Sequence, residues 1–475
     1  MEAWITSIGG YLPNLRLDRA KAAREFSWSG LPLPRRGSRA VAGWDEDPLT
    51  MAVEAARGPA GGATPQRLDF ASTSAFFTDR AQSAIMLDAL ALPRGVRTCD
   101  LANSRRSGSS ALLDALLAGR DALVAAAEKR DVQPGNPSQL AFGDGGAAVR
   151  TGAQGSARLI GHASITHDLV DRYASREHPT SYAYEERFVR DVAVGNLLIP
   201  AIREACEAAG IEPGAIAGAA VAEPVDGCWS AVARKLGIAA PNSCEEVRSA
   251  VGDLGTAHCL YGLGLALDGA EAGQIVLLAG FGSGVDALLF EVTGATPGAA
   301  EMAAALREGA MLDSITRFLS LTGGMDVDWG MRSEFAQKAQ ATVLERVGRD
   351  MIGFVGGRDS SGSVQFPKSD IPVNPTLHAV EKMEDVRLAD ETATIVSVTA
   401  DRLNFTPDPP FDFGLVQFDN GARVLMEMTD RPDGGFAVGQ AVRMRLRIKS
   451  QNKALGFRTY FWKAAPIARN RLGDD

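Results

Sequence analysis

The sequence predicts a layered α/β protein followed by a small all-β barrel or sandwich. Residues 1–292 alternate short apolar strands with Ala/Leu-rich helices. From about residue 347 the periodicity switches to two. The chain has 475 residues, 45% hydrophobic and 23% charged, enough for roughly three domain-sized units of about 150 residues with buried cores. Lys plus Arg number 49 against 58 Asp plus Glu, a formal charge of −9 that argues against wholesale binding to nucleic acid or anionic membranes.

The opening MEAWITSIGG lacks a basic stretch followed by an apolar one, so no secretory signal is predicted. No apolar run approaches the roughly 18 residues a membrane span needs. Five widely spaced cysteines (Cys99, Cys206, Cys228, Cys244, Cys259) point to a reducing, cytoplasmic setting. With no Cys-x-x-Cys and five scattered histidines, spacing gives no support for a structural zinc site.

Asp47-Pro48 starts a helix, because Asp47 can cap free amides and Pro48 needs no N–H at the first position. A second helix is expected from about Ser107 through ALLDALLAGRDALVAAA, and a third from about Val192 to Ala209, stopped by Gly210. The glycine-rich stretches FGDGGAAV (142–149) and GFGSGVDALLF (280–290) close two segments of similar length. They read as a duplicated α/β unit. Further helices are expected around EMAAALREG and EFAQKAQATVLERV. The implied division is 1–150, 151–345 and 346–475.

In the last part, Val442 to Lys449 alternate apolar and basic residues without a miss, the pattern of a half-buried strand. Other strands are expected at 394–398, 414–418, 422–428 and 459–462, with Asn420-Gly421 as a hairpin turn. The basic face (Arg443, Arg445, Arg447, Lys449) raises single-stranded nucleic-acid binding. It lacks a stacking platform of aromatics, so a solvated edge or a dock for an acidic partner is favoured.

Val41-Ala-Gly-Trp-Asp-Glu-Asp47 followed by EAAR, the opening ITSIGGYLPNLRLD, the stretch at 100–113, REHP at 176–179 and GFGSG at 280–284 occur in an order that resembles the 3-hydroxy-3-methylglutaryl-CoA synthases of bacteria and archaea. The resemblance covers residues 1–345 and implies the thiolase fold: two βαβαβαβ halves in five αβαβα layers, usually dimeric. From 347 onward the chain resembles the zinc-ribbon and OB-fold module that accompanies many thiolase-type enzymes as a separate subunit.

That family uses a cysteine nucleophile, a glutamate base, and a histidine and asparagine acting on the thioester carbonyls. Carried over by position, these fall on Arg105, Thr73, Ala222 and Asp253. Arg105 offers only donors on a permanently charged group. Thr73 has no low-pKa group, Ala222 has no polar side-chain atom, and Asp253 carries the wrong charge to hold an oxyanion. The zinc-ligand positions fall on Arg358, Ser361, Ile371 and Asn374, so no zinc is expected and the hairpin must be held by packing or by a partner.

Arg105 would plug the former tunnel or anchor an acidic group, with Glu223 or Asp253 as counter-ions. Gly282, Ser283 and Gly284 match a turn that lines the thioester site, although a close backbone approach would demand the same glycines. Bland readings are preferred elsewhere. Cys99 is taken as a small core residue, His258-Cys259 as no catalytic pair, His178 as a loop residue, and Ser107, Ser109 and Ser110 as helix caps.

The implied function is a catalytically degenerate, HMG-CoA synthase-like subunit. It would partner a cysteine-bearing thiolase-like chain, itself as a dimer, or both, with a coenzyme A thioester as its ligand and no further cofactor. One alternative is a non-covalent acyl-CoA lyase, aldolase or decarboxylase using Arg105 with Asp253 or Glu223. Another is single-stranded nucleic-acid binding by the last domain.

Overall fold

The computed structural model describes residues 3–183, 185–328, 348–377, 380, 382–452 and 456–467. The expected helix at EFAQKAQATVLERV (334–347) lies outside them. Two compact units divide the chain: one of Met1–Gly43, Asp47–Leu87 and Pro93–Asp326, the other of Trp44–Glu46, Asp88–Leu92 and Val327–Asp475.

In the first unit, β1 (Trp4–Tyr11) leads to α1 (Pro48–Ala56), where Asp47 accepts from the Thr50 amide and Thr50 answers in a capping box with Pro48 at the first position. Then follow β2 (Arg67–Ala71), β3 (Arg97–Leu101), α2 (Ser107–Leu117), β4 (Ala122–Glu128) and β5 (Gly145–Gly152). A second series runs β6 (Ala157–Thr166), α3 (Ile199–Ala209), β7 (Ile216–Val221), α4 (Cys228–Leu236), α5 (Ser243–Val251), α6 (His258–Asp268), β8 (Ile275–Phe281) and β9 (Gly284–Val292).

The nine strands lie in the order β7-β8-β9-β6-β1-β5-β4-β2-β3. Read outward from the middle, β1-β5-β4-β2-β3 and β6-β9-β8-β7 are the same arrangement. The fifth strand of each half, β5 or β9, runs antiparallel to both neighbours. The third strand of the second half has shrunk to one parallel bridge, Ala219 to Asn242. There the Asn242 side chain exchanges two 2.9 Å hydrogen bonds with the Val221 backbone, imitating a strand. Helices α2 and α6 each pack on strands of both halves, α1 only on the first and α3 only on the second, which gives the expected five layers. Leu112, Leu116, Leu260, Leu263 and Leu267 fill the middle.

Two local expectations are corrected. The helix from Ser107 ends at Leu117, and ALVAAAE forms β4, buried at all seven positions. Alanine's helix propensity yields to pairing on both sides by β2 and β5. The third helix ends as expected at Gly210 (φ 67°), but Ala193–Leu198 form a π-helical turn ahead of it.

In the second unit, β10 (Val355–Arg358), β11 (Val364–Gln365) and β12 (Glu384–Arg387) form a small antiparallel sheet. Beside it in sequence come β13 (Ala393–Ile395), β14 (Phe411–Phe418), β15 (Arg423–Glu427), β16 (Ala441–Asn452) and β17 (Phe457–Pro466). Antiparallel ladders join β15 to β14, β14 to β13, β13 to β16 and β16 to β17. A parallel bridge from Met428 to Ala464 returns the end of β15 to β17, closing a five-stranded barrel. Val442, Met444, Leu446, Ile448 and Trp462 are buried.

The basic face of β16 departs from expectation. Arg445 and Arg447 are buried, and their charge is met inside this unit. Arg445 lies 3.3 Å from Asp430, and Arg447 lies 3.2 Å from both Glu46 and Asp430. Lys463 of β17 pairs with Asp45 at 2.9 Å and Glu427 at 3.0 Å under the Trp44 ring. Exposed Lys449 pairs with Glu427. The acids that meet these charges are the chain's own: Asp45 and Glu46 together with Glu427 and Asp430.

Candidate functional site

Arg105 sits two residues before α2. Ser104 Oγ accepts from the Arg106 amide at 3.2 Å and donates to the Gly282 carbonyl at 2.9 Å, tying this turn to the loop between β8 and β9. A Cβ at Gly282 would stand 2.7 Å from Ser104 Oγ and 3.1 Å from the Arg105 nitrogen. Gly282 has φ 159° and Ser283 φ 48°, so the glycine here serves a close approach to Arg105.

The Arg105 guanidinium makes a hydrogen-bonded ion pair with Asp171 and lies 3.7 Å from Asp253, with Phe281 5.8 Å beneath it. Asp253 is the hub. Arg130 reaches its Oδ1 at 3.5 Å, Arg172 its Oδ2 at 3.9 Å, and the Gly255 amide donates to Oδ1 at 2.8 Å. Arg130 and Arg172 also lie over the Phe142 ring, at 3.5 and 4.8 Å. Burial opposes ionisation of Asp253, yet the neighbouring Arg130, His258, Arg105 and Arg172 together hold its carboxyl well below the usual carboxylate range. Burial works against the charge of Arg105 too, and Asp171 and Asp253 more than offset it, so this guanidinium stays charged.

Thr73 faces a carboxylate that the sequence reading missed. Its amide and hydroxyl both donate to Glu128 Oε1 at 2.9 Å, and Thr256 adds its amide at 3.4 Å. Ser74 and Ser72 fill Oε2. Glu128, fully buried at the end of β4, thus pins the turn after β2 through neutral donors.

Glu223 does not reach Arg105. Its carboxylate binds Arg248 at 2.6 Å and accepts from the Trp229 amide at 2.5 Å, at the start of α4. Ala222 continues β7 with its amide on Ala279. The serines of α2 are not caps: Ser109 and Ser110 donate to Asp286 of β9 at 3.2 and 2.6 Å, and Ser107 to the Ala102 carbonyl. Cys99 is half-buried on the edge strand β3 rather than in the core. His178 lies in an exposed turn with Ser175.

His258 and Cys259 form no dyad. His258 Nδ1 accepts from the Leu254 amide at 3.3 Å, and burial pushes its imidazole down to about 4. Burial pushes the Cys259 thiol up to about 12. Neither group is set up for a thiolate-imidazolium pair.

The supposed zinc-ligand positions hold hydrogen bonds. Asn374 Nδ2 donates to Ser361 Oγ at 2.8 Å, and Asp359 Oδ1 accepts from the Ser361 hydroxyl and from the Ser361 and Ser363 amides. Gln365 holds the second turn, donating to the Ile371 carbonyl at 3.1 Å and accepting from the Val373 amide at 2.8 Å. Arg358 points to Glu384 at 3.8 Å. A guanidinium, an alkyl group, a hydroxyl and an amide do not suit zinc. Among the described residues no group of three His, Cys, Asp or Glu side chains could hold a metal.

No family model matches the sequence. The hydroxymethylglutaryl-CoA synthase of Thermococcus gammatolerans is 27% identical over 305 residues, covering 61% of this chain and 86% of that enzyme. That of Pyrobaculum arsenaticum is 28% identical over 316 residues, covering 62% and 88%. Among solved structures, an HMG-CoA synthase complexed with CoA superposes with TM-score 0.57 at 16% identity, covering 67% of this chain and 89% of that one. The HMG synthase of the curacin pathway gives 0.56 at 17%, covering 68% and 88%. The 3-oxoacyl-(acyl carrier protein) synthase III of Pseudomonas aeruginosa gives 0.53 at 20%, covering 62% and 100%. The chain is similar in sequence to HMG-CoA synthases and has the thiolase fold. Within that fold Asp171, Arg130, Arg172 and Glu128 are the site residues that sequence reasoning missed. The demand of a buried Arg105 for a counter-ion could have singled out Asp171-Arg172, just ahead of REHP.

Proposed function

We propose that this chain is a thiolase-superfamily subunit without covalent acyl-transfer chemistry, acting as a structural or regulatory partner of a cysteine-bearing thiolase-like chain in an acyl-CoA C–C bond-forming or -cleaving complex. The observation that carries the reading is Arg105, a cation neutralised by Asp171 and Asp253 where the resemblance puts a nucleophile. A guanidinium cannot attack a thioester, and no carboxylate replaces the base at Thr73 except Glu128, whose oxygens are already filled. The fold itself survives such losses, because its stability comes from buried apolar layers. The last domain reads as an OB-fold: the cyclic strand order first-second-third-fifth-fourth is that of an OB barrel. The hairpin ahead of it reads as a zinc ribbon that has exchanged metal for hydrogen bonds.

The lyase alternative needs Arg105 to take a substrate carboxylate, and two internal carboxylates already compete for it. The test is incubation of the purified chain with acetyl-CoA followed by intact-protein mass spectrometry, with and without a coexpressed cysteine-bearing homologue. The expected result is no acyl adduct and no acyl-CoA turnover by the lone chain, with copurification of the homologue. Turnover by the chain alone would reject the proposal.

A further inference from the structure

Around Asp253 the chain places more donors than acceptors. Three guanidiniums (Arg105, Arg130, Arg172) meet two carboxylates, Asp171 and Asp253. Three buried side-chain nitrogens in this group have no hydrogen-bond partner: Arg172 Nη1, Arg130 Nε and His258 Nε2. All are donors, since His258 Nδ1 already accepts from Leu254 and leaves the proton on Nε2. Arg172 is the least satisfied of the three arginines: Nη1 has only the 3.9 Å approach to Asp253. Burial, and then the charge of Arg105, lower its pKa to about 10, the electrostatic mark of a cation short of anions. Glu128 offers it no remedy, because both oxygens are filled by the 72–74 turn and Thr256. A buried donor left unmade destabilises the fold, and a charged one does so more.

We propose that the Arg105–Arg130–Arg172 cluster binds a small monocarboxylate, with Arg172 Nη1 as its leading donor. One missing negative charge calls for a monoanion, and a planar guanidinium fork over the Phe142 ring suits a planar carboxylate. Arg105, Asp253 and Arg172 keep 13%, 15% and 21% of their side-chain surface exposed, whereas Arg172 Nη1 itself is covered, so uptake of the ion has to displace the atoms over that nitrogen. Arg105 is the anchor of the internal acids, and Arg172 the anchor of the ligand. This goes beyond the proposed function and does not require it, since it concerns binding by the chain alone.

The test compares thermal unfolding of the full chain in sodium acetate and in sodium chloride at equal concentration, with acetamide as the neutral control. Acetate is expected to raise the midpoint above chloride by about 3 °C, and acetamide not at all. Carboxyl-labelled acetate should broaden by NMR on adding the protein. Arg172→Gln should remove the acetate–chloride difference, and exposed Arg187→Gln should retain it. Should Arg172→Gln fail to fold, Arg172→Lys keeps the charge but loses the fork and should at least halve the difference. Equal midpoints in acetate and chloride, or an undiminished difference in a folded Arg172 variant, would overturn the proposal. An acyl adduct in the mass-spectrometric assay would reject the pseudoenzyme reading and leave this one standing.

Discussion

Arg105 and Asp171 lie 66 residues apart, on opposite sides of the duplication, and each makes the other's burial tolerable. Removing one partner of such a pair leaves an uncompensated charge, at a cost of about 3 kcal/mol. Asp171→Asn should therefore lower stability by about that amount in denaturant unfolding. Adding Arg105→Met to it should recover more than half, because the stranded cation is gone. A double variant no more stable than Asp171→Asn would sink this account. His258 gives a second residue-scale test. Its folded pKa is about 4 against an ordinary 6.5, mainly through burial, so the native state refuses a proton that the unfolded chain takes up. Its contribution is intact above pH 6.5 and is lost as pH falls towards 4, on the order of 3 kcal/mol in full. His258→Gln should flatten the pH–stability profile across that window, and an unchanged slope would assign it to other groups. Arg105 could be singled out from the motif around it. Asp171-Arg172 could be reached only through the demand of a buried Arg105 for a counter-ion, and Arg130 not at all, because their meeting depends on how the halves fold together.

At the scale of elements, capping signals and periodicity were readable where the chain decides locally. Asp47-Pro48 and Gly210 bound their helices as expected. ALVAAAE was not readable, because its strand state is imposed by two neighbours distant in sequence. The hairpin before the barrel shows the same limit. Ser361 and Asn374 look like losses when matched to a metal site, whereas in space they bond to each other across the two turns, and Gln365 holds the second turn at Ile371 and Val373. If these bonds hold the hairpin, a chelator should leave the thermal midpoint unchanged. Gln365→Ala should speed hydrogen exchange at the Val373 amide by about tenfold, the loss expected for roughly one hydrogen bond. A midpoint lowered by chelation would show that metal, not hydrogen bonding, closes the turns.

For the whole molecule, the duplicated order of strands follows from the sequence's two glycine-rich closures, FGDGG and GFGSG, which precede the antiparallel strands β5 and β9. The composition of the second unit could not be foreseen, since it takes in Trp44–Glu46 and Asp88–Leu92 from far upstream. This bears on any assay of nucleic-acid binding. A piece beginning near residue 347 would lack Asp45 and Glu46, exposing Arg447 and Lys463 and presenting a cationic face that the full chain does not. Retention of oligonucleotides by such a piece would report missing carboxylates rather than a function. The informative comparison uses full-length protein. The unaltered chain should elute from a single-stranded oligonucleotide column at low salt, while Asp45→Asn/Glu46→Gln should be retained more strongly and released as salt rises. Strong, salt-dependent retention of the unaltered chain, unaffected by those substitutions, would mean that the basic strand is available after all and that Trp44–Glu46 does not cover it.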